Sequence, residues 1–104
     1  MEHTVAHPRI IKDIKNDDLR IQVTGYIKEI PSKGYFILDD KTGSLKVLIE
    51  KVEFSFKKND LVNVIGDLNI SMEGEKELEA DIIQDMNKLN FEYYQKLYQL
   101  KKEL

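Results

Sequence analysis

The stretch Arg20-Ile21-Gln22-Val23-Thr24-Gly25-Tyr26-Ile27-Lys28-Glu29-Ile30 decides how the chain is read. Apolar Ile21, Val23 and Ile27 alternate with Gln22, Thr24, Tyr26 and Lys28, the period of two that a strand with one wet face requires. Gly25 falls inside this run, and a residue without a side chain in a strand predicts a bulge or a sharp bend.

Working outward, Pro31-Ser32-Lys33-Gly34 predicts a turn, and Tyr35-Phe36-Ile37-Leu38 is too short and too rich in β-formers to be helical. Asp39-Asp40-Lys41-Thr42-Gly43 has the chemistry of a hairpin loop with a left-handed residue, and the chain returns as a third strand over 44–49. Residues 61–70, with Gly66 inside, and 78–83 predict strands four and five, joined by a loop over 71–77. Residues 50–60 read as a loop or a short helix, with Phe54 and Phe56 spaced to point inward together. Upstream, Ile10, Ile11 and Ile14 form a short apolar segment, ended by Asn16-Asp17-Asp18, whose side chains compete with regular structure for backbone hydrogen bonds. Residues 1–9 are predicted as a flexible polar arm. Five strands, two with a central glycine, predict a small closed barrel over residues 10–88.

The period changes after residue 89. On a helical wheel Phe91, Tyr93, Tyr94, Leu97, Tyr98, Leu100 and Leu104 share one half, and Glu92, Gln95, Lys96, Gln99, Lys102 and Glu103 the other. Asn90 is the predicted N-cap. An apolar arc of about 180° exceeds the roughly 100° needed to pack on one surface, so this helix is expected to face its own barrel and another chain. Phe91, Tyr94, Leu97, Tyr98 and Leu104 are the expected partner-binding residues, with Tyr93 or Leu100 at the edge. The expected assembly is a hetero-oligomer, or a homodimer when the chain is alone.

Composition limits the function classes. The 104 residues suit one domain, 41% hydrophobic residues supply a core, and 34% charged residues exceed the roughly 25% usual for globular proteins. Cysteine is absent, which removes disulfides, thiolate metal sites and a cysteine nucleophile. No run approaches the roughly 18 apolar residues of a membrane span, and the first residues lack a signal-peptide pattern, so a reducing cytoplasm is the expected compartment. The net charge of −3 is uneven, because residues 53–104 carry eleven acidic and seven basic side chains. Such a balance opposes unaided binding of a polyphosphate.

Five strands of this kind with a terminal helix form the oligonucleotide/oligosaccharide-binding (OB) fold. Tyr35-Phe36-Ile37-Leu38-Asp39-Asp40-Lys41-Thr42-Gly43 resembles the strand and Asp-Asp-x-Thr-Gly hairpin of the middle subunit of replication protein A and its telomere-capping relatives. Val64-Ile65-Gly66-Asp67-Leu68, Lys76-x-Leu78-x-Ala80 and Asp85-Met86-Asn87 follow in that family's order, and the similarity spans about residues 10–104. The resemblance implies a non-catalytic OB subunit of a single-stranded DNA-binding complex. It also implies larger OB-fold partner subunits that bundle their helices with the terminal helix.

This sequence departs from the family where stacking aromatics are expected, since Glu50 and Ser71 stand there and neither can stack. The loop 71–77 holds three carboxylates against one ammonium, a wall that repels phosphate. A modest nucleic-acid surface is expected from Tyr26, Lys28, Lys33, Tyr35 and Lys46; equally, Tyr26 and Tyr35 could be a cross-strand pair on a sheet face kept soluble by lysines.

Catalytic chemistry finds no support. His3 and His7 are four apart, but Pro8 opposes a helix there and no third ligand is near, so neither metal nor cofactor is expected. Neighbouring Asp39 and Asp40 point to opposite faces of a strand and suit hairpin construction rather than a shared proton. No nucleophile, base and orienting group come together, and the chain is not expected to be an enzyme. The leading expectation is a scaffolding OB subunit with weak strand contact. The alternative is a protein-binding OB accessory subunit of a polymerase or helicase–topoisomerase complex that makes no DNA contact.

Overall fold

The alternation seen in the sequence becomes the inside and outside of a barrel. The computed structural model describes residues 5–103. Its elements are β1 (His7–Pro8), a single 3-10 turn (Ile11–Asp13), β2 (Arg20–Glu29), β3 (Tyr35–Asp39), β4 (Ser44–Leu48), β5 (Leu61–Ile70), β6 (Lys76–Asp85) and α1 (Phe91–Glu103). The strands run β2-β3-β4-β6-β5, and β5 returns to pair with β2, so five strands close a barrel that is antiparallel except where β4 meets β6. This is an OB fold with a terminal helix.

Strand β2 makes closure possible by serving two neighbours. Its Arg20–Tyr26 half pairs with β5 from Asp67 to Leu61, and its far end pairs with β3. Inward residues Ile21, Val23, Ile27, Phe36, Leu38, Val47, Val62, Val64 and Leu78 are inaccessible to solvent. Each such side chain contributes roughly 1.5–3 kcal/mol by leaving water. Ile14 and Ile49 join this core, and Phe54 and Phe56 pack against it, with Phe36 and Phe54 stacked at 5.2 Å between ring centroids. Residues 50–60 form neither helix nor strand, only turns such as that closed by the Asp60 N–H to the Lys57 carbonyl.

Three expectations are revised. The bulge expected at Gly25 lies further on, between Ile27 and Glu29, while β2 stays in register with β5 through Gly25. Gly25 is needed instead for close approach, because a Cβ there would stand 2.9 Å from the Asp39 carbonyl oxygen. The fifth strand begins at Lys76 rather than 78, since Lys76 and Glu77 pair with Ile70 and Asn69, and the loop shortens to 71–75. The arm expected over 1–9 is paired from His7 onward: His7 and Pro8 lie beside Ile21 and Gln22, and the Arg9 N–H donates to the Gln22 carbonyl. His3 lies outside the described residues.

The hairpin between β3 and β4 is a structural junction. Asp40 is 1% exposed, and its carboxylate accepts the N–H of Ile11 at 2.7 Å, the N–H of Thr42 at 2.9 Å and the Thr42 hydroxyl at 2.6 Å. Asp39 accepts the N–H of Lys41, the residue that adopts the left-handed conformation (φ 72°). The two carboxylates therefore build the turn and pin the upstream 3-10 turn to it.

Candidate functional site

Outward side chains of β3 and β4 floor a cleft of 620 Å³. Tyr35, Ile37, Ser44 and Lys46 lie along it, Gly74, Glu75 and Lys76 form one wall, and Ile11, Ile14 and Asn16 another. The chemistry here is largely satisfied from within. The Lys46 ammonium sits 4.4 Å from the Tyr35 ring centroid and 3.4 Å from a Glu77 carboxylate oxygen, so it covers one face of the ring and has its charge answered. Ser71 closes its own loop, accepting the Glu75 N–H on its hydroxyl and the Gly74 N–H on its carbonyl. Glu50 is exposed on a turn.

The structure divides the expected nucleic-acid residues among three places. Tyr35 and Lys46 share the sheet cleft. Tyr26 and Lys28 line a second cleft of 480 Å³ with Glu29, Asp39, Lys41, Lys58 and Asn59. Lys33 stands on the rim of a third, apolar groove formed by Ile30, Ile49, Val52, Phe54 and Phe56. Tyr26 and Tyr35 are not a cross-strand pair, since Tyr26 faces Asp39 and Tyr35 faces Leu48. The sequence-based surface lacks Lys41, which the β2–β3 pairing brings beside Tyr26, and Lys58 and Asn59, which reach β2 only where the barrel closes; their turn positions are readable from Asp-Lys-Thr-Gly and Lys-Lys-Asn-Asp.

Helix α1 begins at the predicted cap: the Asn90 side-chain oxygen accepts the Tyr93 N–H, and its carbonyl accepts the Tyr94 N–H. The broad apolar arc then splits into two stripes. Phe91, Tyr94 and Tyr98 turn toward the barrel. Phe91 is 5% exposed and meets Tyr26 edge-on at 5.1 Å, and Tyr94 stacks on Phe91. Among these aromatics the Gln95 amide donates to the Asp40 carbonyl at 2.6 Å. The Tyr98 hydroxyl and the Lys102 ammonium both donate to Asp13. Lys102, and after it Tyr98, hold the Asp13 carboxyl below its ordinary pKa against the opposing effect of burial, so the ionised form secures the helix end; burial pushes the Tyr98 hydroxyl up.

The second stripe faces solvent. Tyr93, Leu97 and Leu100, spaced four and three apart, are 59%, 37% and 59% exposed. Of the expected partner-binding residues, Phe91, Tyr94 and Tyr98 therefore pack on the barrel itself, Leu97 faces outward, and Leu104 lies outside the described residues. The expected edge residues Tyr93 and Leu100 are the outward ones. A helical wheel ranks residues by angle but cannot tell which flank the barrel takes.

No family model and no curated protein matches the chain. Solved structures do. The telomere capping protein Ten1 from Saccharomyces pombe superposes with a TM-score of 0.77 at 17% identity, covering 96% of this chain and 100% of that one. A chain of the S. pombe Stn1-ten1 complex gives 0.77 at 16% identity, covering 98% and 96%. A chain of a replication protein A heterotrimer bound to ssDNA gives 0.60 at 14% identity, covering 79% and 66%. At such identities the likeness establishes the OB fold with its terminal helix, the architecture expected from the sequence.

Proposed function

We propose that this protein is a non-catalytic OB-fold subunit of a single-stranded DNA-binding complex, joined to a larger OB-fold partner through α1 and making only weak strand contact itself. The observation that carries the reading is the outward stripe Tyr93–Leu97–Leu100 on a helix whose other side is already packed. Aromatic and leucine side chains aligned on a solvated helix face are the composition of an interface core. The structural likeness to telomere-capping and replication protein A chains supports the choice of assembly.

Weak strand contact follows from the sheet cleft. Stacking is worth about 1–3 kcal/mol per base, and here Tyr35 is capped by Lys46, whose charge Glu77 already answers. In an anisotropy titration of a labelled 20-mer near physiological salt, the chain alone is expected to bind no tighter than the roughly 1–100 μM typical of non-specific contacts. Submicromolar affinity would instead make the protein a free-standing strand binder.

A further inference from the structure

We infer that what strand contact this chain makes runs through the second cleft, beside the start of α1, where Lys28, Lys41 and Lys58 receive backbone phosphates, rather than through the sheet cleft. The inference rests on the strand-binding reading above and says where on this chain the strand lies.

The three ammoniums come from three separate segments, each fixed by its backbone. Lys28 sits at the bulge of β2. Lys41 occupies the left-handed position of the β3–β4 hairpin, its N–H held by Asp39 at 2.7 Å. Lys58 precedes Asn59, which is left-handed (φ 76°) and donates its N–H to the Ile27 carbonyl at 2.7 Å, tying this turn to β2. All three lysines are exposed, and Lys41 and Lys58 make no ion pair among the described residues.

Charge separates the two clefts. Glu29 and Asp39 also face the second cleft, but Asp39 already accepts the Lys41 N–H and lies 3.8 Å from the Lys28 ammonium. Lys41 and Lys58 thus keep ammoniums that no carboxylate pairs among the described residues. In the sheet cleft Lys46 is bound to Glu77, and Lys76 stands beside Glu75. The Tyr26 ring has Phe91 against it and Lys41 5.9 Å from its centroid, which leaves little room for a base. The ligand chemistry is thus the phosphodiester backbone, read without sequence preference and sensitive to salt. Because Phe91 opens α1 against Tyr26, the cleft adjoins the first turn of the helix that carries the partner-facing stripe. A strand leaving a partner seated on α1 would cross it.

The test uses the full chain and a fluorescein-labelled dT20 at about 20 mM salt, where weak phosphate contacts become measurable. Lys41→Asn, which keeps a residue tolerant of the left-handed conformation, combined with Lys58→Glu should weaken binding about tenfold or more. It should also flatten the slope of log K against log salt by about 1.4, the value for two lost phosphate contacts on a single strand. Lys46→Glu should weaken binding less than about threefold. Should the double variant lose its circular dichroism signature, Lys58→Gln alone, on an exposed turn, should still weaken binding about threefold. A larger effect from Lys46→Glu than from the double variant overturns the inference, as does undetectable binding by the wild-type chain at this salt. Submicromolar binding at physiological salt would defeat the scaffolding reading, whichever lysines carry it, so the two failures are distinguishable.

Discussion

Gly66→Ala is expected to destabilise the barrel by about 3 kcal/mol or more, enough to leave a domain of this size largely unfolded at modest temperature. Gly66 lies where β5 and β6 change register: Ile65 faces Ile82, Gly66 faces Ala80, and Asp81 is the extra residue. A Cβ on Gly66 would collide with the Glu79 carbonyl oxygen and stand 2.8 Å from its carbon and 3.0 Å from the Ala80 Cα. Each of these is backbone inside a closed sheet, so no side chain can turn aside to relieve the clash. Gly34→Ala is the control, because its Cβ would meet only the Ser32 hydroxyl at 3.8 Å. Thermal melts followed by circular dichroism should show a large fall for the first substitution and almost none for the second; equal melting temperatures would contradict the close approach.

Asp40→Ala should cost about 3–4 kcal/mol through a different mechanism. The buried carboxylate satisfies the Ile11 and Thr42 N–H groups and the Thr42 hydroxyl. Removing it leaves those donors short of partners and frees the 3-10 turn from the hairpin. The damage should spread to the helix, since the Asp40 carbonyl receives Gln95 and Asp13 of the same 3-10 turn receives Tyr98 and Lys102. Asp40→Asn, which keeps one carbonyl acceptor, should lose less. Urea unfolding of the three proteins tests the order, and an Ala variant as stable as the Asn variant would show that the carboxylate is not the junction described.

Much of this was legible in the residues and some could not be. Period-two alternation located β2, β3, β4 and β5 closely, because inward and outward positions of a strand in a small barrel have opposite solvents. The hairpin turn was legible because Asp39 and Asp40 cap Lys41 and Thr42 two residues on, whereas the Asp40 bond to the Ile11 N–H, 29 residues away, has no local signal. The bulge of β2 was not, since it falls between Ile27 and Glu29 rather than at Gly25, whereas the register shift of β5 and β6 does fall at Gly66; the close backbone approach at both glycines depends on carbonyls of neighbouring strands, Asp39 and Glu79. The site suffered most from the same limit. Tyr26, Lys28, Tyr35 and Lys46 are outward on their strands and Lys33 sits in a turn, yet register sends the five to three different grooves and adds Lys41 and Lys58 from two other turns. On the helix, the 180° apolar arc holds a packed side and an exposed one, and Tyr26 and Asp40 decide that the Phe91–Tyr94–Tyr98 side is the inner one.

The central claim is that the exposed stripe of α1 holds this chain in a larger strand-binding assembly. It is tested most directly by quantitative capture from lysate of the native organism, comparing the full-length chain with a Tyr93→Asp, Leu97→Asp, Leu100→Asp variant. Tyr93 and Leu100 are more than half exposed and Leu97 about a third, so the variant should keep the folded barrel with a modestly lowered melting temperature, checked by circular dichroism before the capture. The wild-type chain is expected to retain a larger OB-fold subunit, the eluted complex to bind the 20-mer at least about tenfold more tightly than the chain alone, and the variant to lose the subunit. Equal retention of that subunit by both chains, or a monomeric wild-type chain that binds the 20-mer as tightly as anything it captures, would contradict it.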